Sequence, residues 1–370
     1  MKSIKYFVIF SIILQLAACH YSLKNNNQIN WEHWSFSKPE ENPIITADST
    51  KKFFDPVKRD TVRWQKADVF NPGAIVRNGK VYLFTRCEDN PAAIIGGRTS
   101  RIGLAESEDG IHFTHSDTPV LYPDNDEFRK YDYPGGCEDP RVVEVDDSTY
   151  VMTYTSWNYD VPRLSIAFSH DLYRWEKKGP AFTKAYDGKF LNIASKSASI
   201  VTMMKNDRPV VATINGKYWM YWGEKFVNLA WSENLIDWYP LLDENGNLKE
   251  LLSPRAGFFD SNLTECGPPA LMVDKGILLL YNGKNATDKR ADPKLPEGTY
   301  SVGWVLFDLN DPEKIINRTD TCILKPSLPH ELTGQYQAGT TFAEGLVYFK
   351  EKWFLYYGTA DSYVGVAITK

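Results

Sequence analysis

One kind of segment recurs along the chain: a short apolar, aromatic-rich run that ends in a small or polar residue. It occurs at 81–86 (VYLFTR), 150–155 (YVMTYT), 218–223 (YWMYWG), 278–283 (LLLYNG) and 353–358 (WFLYYG). Such runs, rich in aromatic and β-branched residues and too short for helices, predict strands. The copies follow one another at roughly 60 to 75 residues, the spacing of a supersecondary unit with insertions. A turn and a shorter strand precede each run. Those strands open at Asn71-Pro72-Gly73, Glu138-Asp139-Pro140-Arg141, Lys196-Ser197-Ala198, Glu265-Cys266-Gly267-Pro268 and Glu344-Gly345-Leu346. A third strand with small residues follows most copies, at 102–105, 164–167, 227–230 and 364–367, and three of these lead into similar tails at 107–110, 169–175 and 232–238. Five copies of an antiparallel unit, without sustained helical periodicity, predict an all-β chain: a five-bladed β-propeller over residues 60–370. A β-sandwich with long loops is the competing architecture, and the internal repeat disfavours it.

The N-terminus breaks this pattern. Lys2 and Lys5 precede an apolar run at 7–14 that is too short to span a bilayer, and Leu16-Ala17-Ala18-Cys19 follows. That ending resembles a bacterial lipobox. It predicts a signal peptide over 1–18, lipidation of Cys19, and a tether with an N-terminal arm over 19–59. The expected address is the bacterial cell envelope, facing the periplasm, with the membrane touched only through the lipid anchor. A formal net charge of −5 argues against nucleic acid as a partner. Aromatic residues make up 14% of the chain, with eleven Trp and twenty-one Tyr, and they offer stacking faces for sugar rings. Cys87, Cys137, Cys266 and Cys322 show no metal spacing, and no disulfide pairing follows from their positions. The six His are scattered and read as ordinary surface or core residues.

A propeller gathers the openings of its inner strands at one mouth of the central channel. That brings Asn71, Glu138, Asp139, Lys196, Glu265 and Glu344 together, and the ends of the longer runs add Arg86, Thr155, Glu224, Asn282 and Asp361. Gly135-Gly136 permits a sharp turn and Pro140 stiffens it, so the Glu138-Asp139 pair is aimed rather than loose. Several carboxylates pressed together are costly unless they serve a purpose. Paired carboxylates in an aromatic-lined pocket suit glycoside chemistry, one donating a proton to the leaving oxygen and another activating a water. Mutual repulsion is one way to raise the pKa of the acid. Nothing in the sequence matches a phosphate-binding loop, a nucleophile elbow or a zinc site, so no cofactor or metal is expected.

From Asn71 onward the chain resembles glycoside hydrolase family 130. The landmarks are Asn71-Pro72-Gly73, 82–86 (YLFTR), 136–141 (GCEDPR), 216–220 (GKYWM), Gly267-Pro268-Pro269, Tyr281-Asn282-Gly283 and 357–361 (YGTAD). The resemblance implies a five-bladed propeller acting on β-mannosides, with Asp139 as the general acid and an inverting, single-displacement mechanism. It makes Glu224 and Glu265 the candidates for the base, unranked. Asn71, Arg86, Arg141, Lys196, Asn282, Glu344 and Asp361 would bind the mannosyl unit, and Glu138 would either bind it or pair with a neighbouring Arg. Phosphorylases of the family carry a Tyr-His-Gly where this chain has Tyr281-Asn282-Gly283, and tend to carry a basic residue near Glu224. Carboxylates at Glu224 and Glu265 repel phosphate and suit activation of water.

The leading expectation is therefore a hydrolase releasing mannose from a β-mannoside oligosaccharide, exo-acting on β-1,2 linkages. The alternatives are a phosphorylase forming mannose-1-phosphate and a non-catalytic glycan-binding lipoprotein.

Overall fold

A computed structural model describes residue 29 and residues 31–370 except 95. The expected signal peptide and Cys19 lie outside the described residues. Among those described, no helix is long and apolar enough to cross a membrane.

Among the described residues the regular structure is nearly all strand, with only short helical turns, arranged as a propeller-like ring of antiparallel sheets. The first sheet runs Asp68–Arg77, Lys80–Glu88, Ser100–Ser107 and Thr114–His115. Next come Gly136–Asp146, Thr149–Trp157, Arg163–Ser169 and Glu176–Pro180. The third is built on Ala198–Lys205, Lys217–Trp222 and Val227–Ser232. The fourth follows with Leu263–Cys266 and Ala270–Val273 as a broken inner strand, then Gly276–Lys284, Tyr300–Phe307 and Ile315–Arg318. Phe342–Phe349, Lys352–Thr359 and Tyr363–Thr369 form the last. Its outermost strand is Phe36–Ser37, which pairs with Tyr363–Thr369. Residues from the expected arm thus join the two ends of the chain.

The apolar runs become intelligible here. In Gly276–Lys284, Ile277, Leu279 and Tyr281 pack toward the third sheet, while Leu278 and Leu280 pack toward the last. In Lys80–Glu88, Val81 and Leu83 face the last sheet, and Tyr82 and Phe84 face the second. Side chains alternate across a strand, so a strand buried on both faces must be apolar at nearly every position. The recurring tails are one hydrogen-bonded turn used three times. Ser107, Ser169 and Ser232 Oγ each accept a backbone N–H three residues on, from Gly110 (2.8 Å), Leu172 (2.9 Å) and Leu235 (2.9 Å).

Where the inner strands meet, Ala74, Ile75, Val142, Val143, Leu271, Leu346 and Val347 line a cavity of only about 10 Å³. The cysteines Cys87, Cys137, Cys266 and Cys322 are all free thiols.

Candidate active site

Backbone irregularities aim the polar side chains. Three inner strands carry a β-bulge at the residue singled out by sequence: between Phe70 and Pro72, between Glu138 and Arg141, and between Ala343 and Gly345. The extra residue of a bulge leaves the ladder and its side chain is redirected. Asn71 and Asp139 both take φ of 50°, a left-handed conformation that Asn and Asp tolerate better than most residues.

These bulges bring one carboxylate group together. Asn71 Nδ2 donates to Asp139 Oδ1 at 2.9 Å, and Arg86 Nη1 reaches the same oxygen at 3.4 Å. Arg86 Nη2 lies 2.8 Å from Glu138 Oε1 and 2.8 Å from Glu88 Oε1. Glu138 therefore pairs with a neighbouring Arg, one of the two roles foreseen for it. Glu88 was missed in the sequence. It is fully buried and accepts hydrogen bonds from Arg86, Arg98 and Ser100. Strand alternation could have revealed it, since Arg86 and Glu88 share a strand face.

A second group sits across the mouth. Lys196 Nζ lies 3.3 Å from Glu224 Oε1 and 3.6 Å from Glu265 Oε1. Ser197 Oγ donates to Glu265 Oε1 at 2.6 Å. The Glu265 side chain is 2% exposed and that of Glu224 is 50% exposed.

Three expected ligand-binding residues are used differently. Arg141 donates to the backbone oxygens of Asp139 (3.0 Å), Cys266 (2.9 Å) and Gly267 (3.1 Å), so it staples inner strands together beneath the site. Its Nη1 is 3.1 Å from Glu344 Oε1, an ion-pair distance. The angle does not make a hydrogen bond, and both Glu344 oxygens are buried without a hydrogen-bond partner. Asn282 is fully buried and clamps the Ala343 backbone through both side-chain atoms, at 3.1 and 2.8 Å. Its amide thereby ties the fourth sheet to the last. Thr155 is buried with its hydroxyl unpartnered.

The electrostatics separate the acids. Burial, opposed by Arg86 and aided by the Asp139 charge, pushes Glu138 up to about 7. Burial likewise pushes Glu265 up to about 7, against Lys196, and Asp361 up to about 6, against Arg86. Glu344 is driven well above the carboxylate range, again by burial first. Asp139 goes the other way. Burial works to raise it, but Arg86, Lys196 and the Asn71 hydrogen bond together hold it below its ordinary value. Desolvation, more than repulsion between acids, is what makes acids here, and it does so at Asp139's neighbours rather than at Asp139 itself.

The family's sequence profile, described as beta-1,4-mannooligosaccharide phosphorylase, matches residues 37–370. The chain belongs to glycoside hydrolase family 130. Members of this family act on β-mannosides. A 1,2-beta-oligomannan phosphorylase from Thermoanaerobacter sp. (strain X514) is 32% identical over 309 residues, covering 82% of this chain and 90% of the relative. A solved structure from work on GH130 glycoside hydrolases that target beta-1,2 mannosidic linkages in Candida mannan is 50% identical. It covers 92% of this chain and 94% of its own, with a TM-score of 0.90. A glycosyl hydrolase from Bacteroides ovatus is 49% identical, covering 93% and 96%, with a TM-score of 0.89.

Proposed function

We propose that this protein is an inverting, exo-acting hydrolase of β-1,2-linked mannosides, built on a five-bladed propeller. The observation that carries the reading is the state of Lys196. A phosphorylase must hold a phosphate dianion beside the anomeric carbon, which calls for uncompensated cations. Lys196 instead lies within 4 Å of two carboxylates, Glu224 and Glu265. Arg86 is likewise shared among Glu88, Glu138 and Asp139. Such a mouth repels phosphate and accepts water. The 50% identical structure, associated with hydrolases of β-1,2 mannosidic linkages, supports the same reading.

In this scheme Glu265 is the base. A buried carboxyl pushed up to about 7 suits removal of a proton from water near neutral pH. The water attacks C1 from the face opposite the leaving group. The C1–O bond to the departing sugar breaks, and its oxygen takes a proton from Asp139, directly or through a sugar hydroxyl. Asp139 is ionised in the free protein. A bound sugar whose hydroxyls drew Arg86 or Lys196 away from Asp139 would weaken what favours its charged form and so raise its pKa. Glu224 holds Lys196 at the mouth, and Asn71 and Arg86 orient Asp139. Lipid anchoring through Cys19 at the cell envelope belongs to this proposal and rests on sequence.

The test is product analysis on β-1,2-mannobiose with and without inorganic phosphate. Mannose should form at the same rate in both. Strict dependence on phosphate with release of mannose-1-phosphate would overturn the proposal in favour of a phosphorylase. Binding without turnover, unchanged in Asp139→Ala, would make it a binding protein.

A further inference from the structure

The rim of the mouth carries aromatic side chains that neither the core nor the catalytic scheme uses. Trp157 ends the strand Thr149–Trp157, and its ring lies against Gly135, where an added Cβ would sit 2.1 Å from the indole Cδ1. Two residues on, Tyr159 is 43% exposed and takes φ of 66°, a left-handed conformation unusual for a bulky residue. Asn158 enforces that turn. Its Oδ1 accepts from Asp160 N (3.2 Å) and Val161 N (3.0 Å), and its Nδ2 donates to Lys130 O at 3.1 Å.

Both aromatic polar ends are tied to the facing loop of the first sheet. Trp157 Nε1 donates to Gly96 O at 2.9 Å, and the Tyr159 hydroxyl donates to Arg98 O at 3.2 Å. Arg98 in turn donates to Glu88, the residue that holds Arg86. The rings are therefore connected through fixed bonds to the Asp139 group. The same loop presents Ile94, 84% exposed. The hydroxyl of Tyr159 also feels the carboxylates of the mouth. Burial, then Asp89, Tyr133, Glu138 and Glu88, raise its pKa.

An exposed tyrosine held in a strained backbone costs about 1 kcal/mol or more and fills no core. With donors committed to backbone carbonyls, what remains available is ring face and apolar edge. Such a surface binds by stacking, and the C–H face of a pyranose is a suitable partner. We propose that Trp157 and Tyr159 form an aglycone-side platform for the sugars that follow the scissile bond, and that it determines the preference for longer β-mannosides. This rests on the mannosidase reading and adds to it the side of the mouth from which the chain enters.

The test compares wild type with Tyr159→Ala and Tyr159→Phe. Tyr159→Ala should lower kcat/KM for β-1,2-mannotriose about 10-fold, the size of one lost stacking contact. Inhibition by free mannose, which occupies only the inner pocket, should stay within about 2-fold. Tyr159→Phe keeps the ring and should retain most of the activity. Equal losses in mannotriose turnover and mannose inhibition, or no loss in either, would overturn the platform while leaving the mannosidase reading intact. A wild-type protein that neither cleaves nor binds mannosides would sink both.

Discussion

Glu265 shows how one residue acquires a role from its surroundings. Its carboxyl is removed from water, receives a hydrogen bond from Ser197, and stands beside Lys196. Burial wins over the cation and leaves the group titrating at about 7. If Glu265 is the base, kcat/KM must fall as pH drops below about 7, because the protonated form accepts no proton. Glu265→Gln should cut kcat by about 10²-fold or more and remove that acid-side limb. Glu224→Gln should keep the limb, because half-exposed Glu224 acts through Lys196. A pH–rate profile of both variants decides between them, and loss of the limb in Glu224→Gln would exchange their roles. Sequence named both residues but could not rank them, since rank depends on burial. It also identified Asp139, Asn71 and Arg86, whose hydrogen bonds now form one group. Asn282 and Arg141 were assigned to ligand through the resemblance to the family. The fold turns their donors to backbone instead.

At the scale of the strand, the site depends on irregularity. A regular ladder would alternate Asn71, Asp139 and Glu344 with their neighbours, whereas the bulges take each out of register. Gly136 is the most constrained support. Its φ is 110°, and a Cβ would lie 2.0 Å from the Ser100 carbonyl oxygen. That contact is where the first and second sheets join, through the bridge from Ser100 to Gly136. Gly136→Ala should therefore destabilise the protein by about 3 kcal/mol or more, from overlap and backbone strain together. Thermal or urea unfolding would measure it, and a change below about 0.5 kcal/mol would mean the strands separate freely there. The Gly135-Gly136 pair was legible as a turn signal. Its second function, close approach of a neighbouring sheet, was not, because the neighbour is 36 positions away in sequence.

At the scale of the molecule, the ring is closed by Phe36–Ser37 on the last strand and by Lys38, which donates to Glu331 at 2.7 Å. Closure concentrates acids at the mouth, and stability must reflect it. Glu138 and Glu265 titrate at about 7 and Asp361 at about 6, with burial the largest cause in each. In an unfolded chain such groups titrate near about 4. Between these values the native state binds the more protons, so stability rises as pH falls. Buried His115 and partly buried His330, both pushed down by burial, oppose this below about pH 6.5. Tm should thus rise from about pH 8 to about pH 6.5, and Glu265→Gln should reduce the rise. A Tm that falls over that interval would show these acids ionised and stabilising.

The sequence by itself determined the repeat, the strand character of the apolar runs and the turn chemistry of the tails, and it marked the Glu138-Asp139 pair as a local irregularity, which the structure makes a β-bulge rather than a turn. These are local properties, set by alternation, side-chain shape and backbone preference within a few residues. Tertiary structure decided which acids are buried, which cations are already neutralised, and which donors face a ligand rather than a backbone. Glu88 and the Trp157–Tyr159 rim emerged only there. Burial and pairing arise from segments far apart in the chain, and a carboxyl's pKa depends on how much water those segments leave around it.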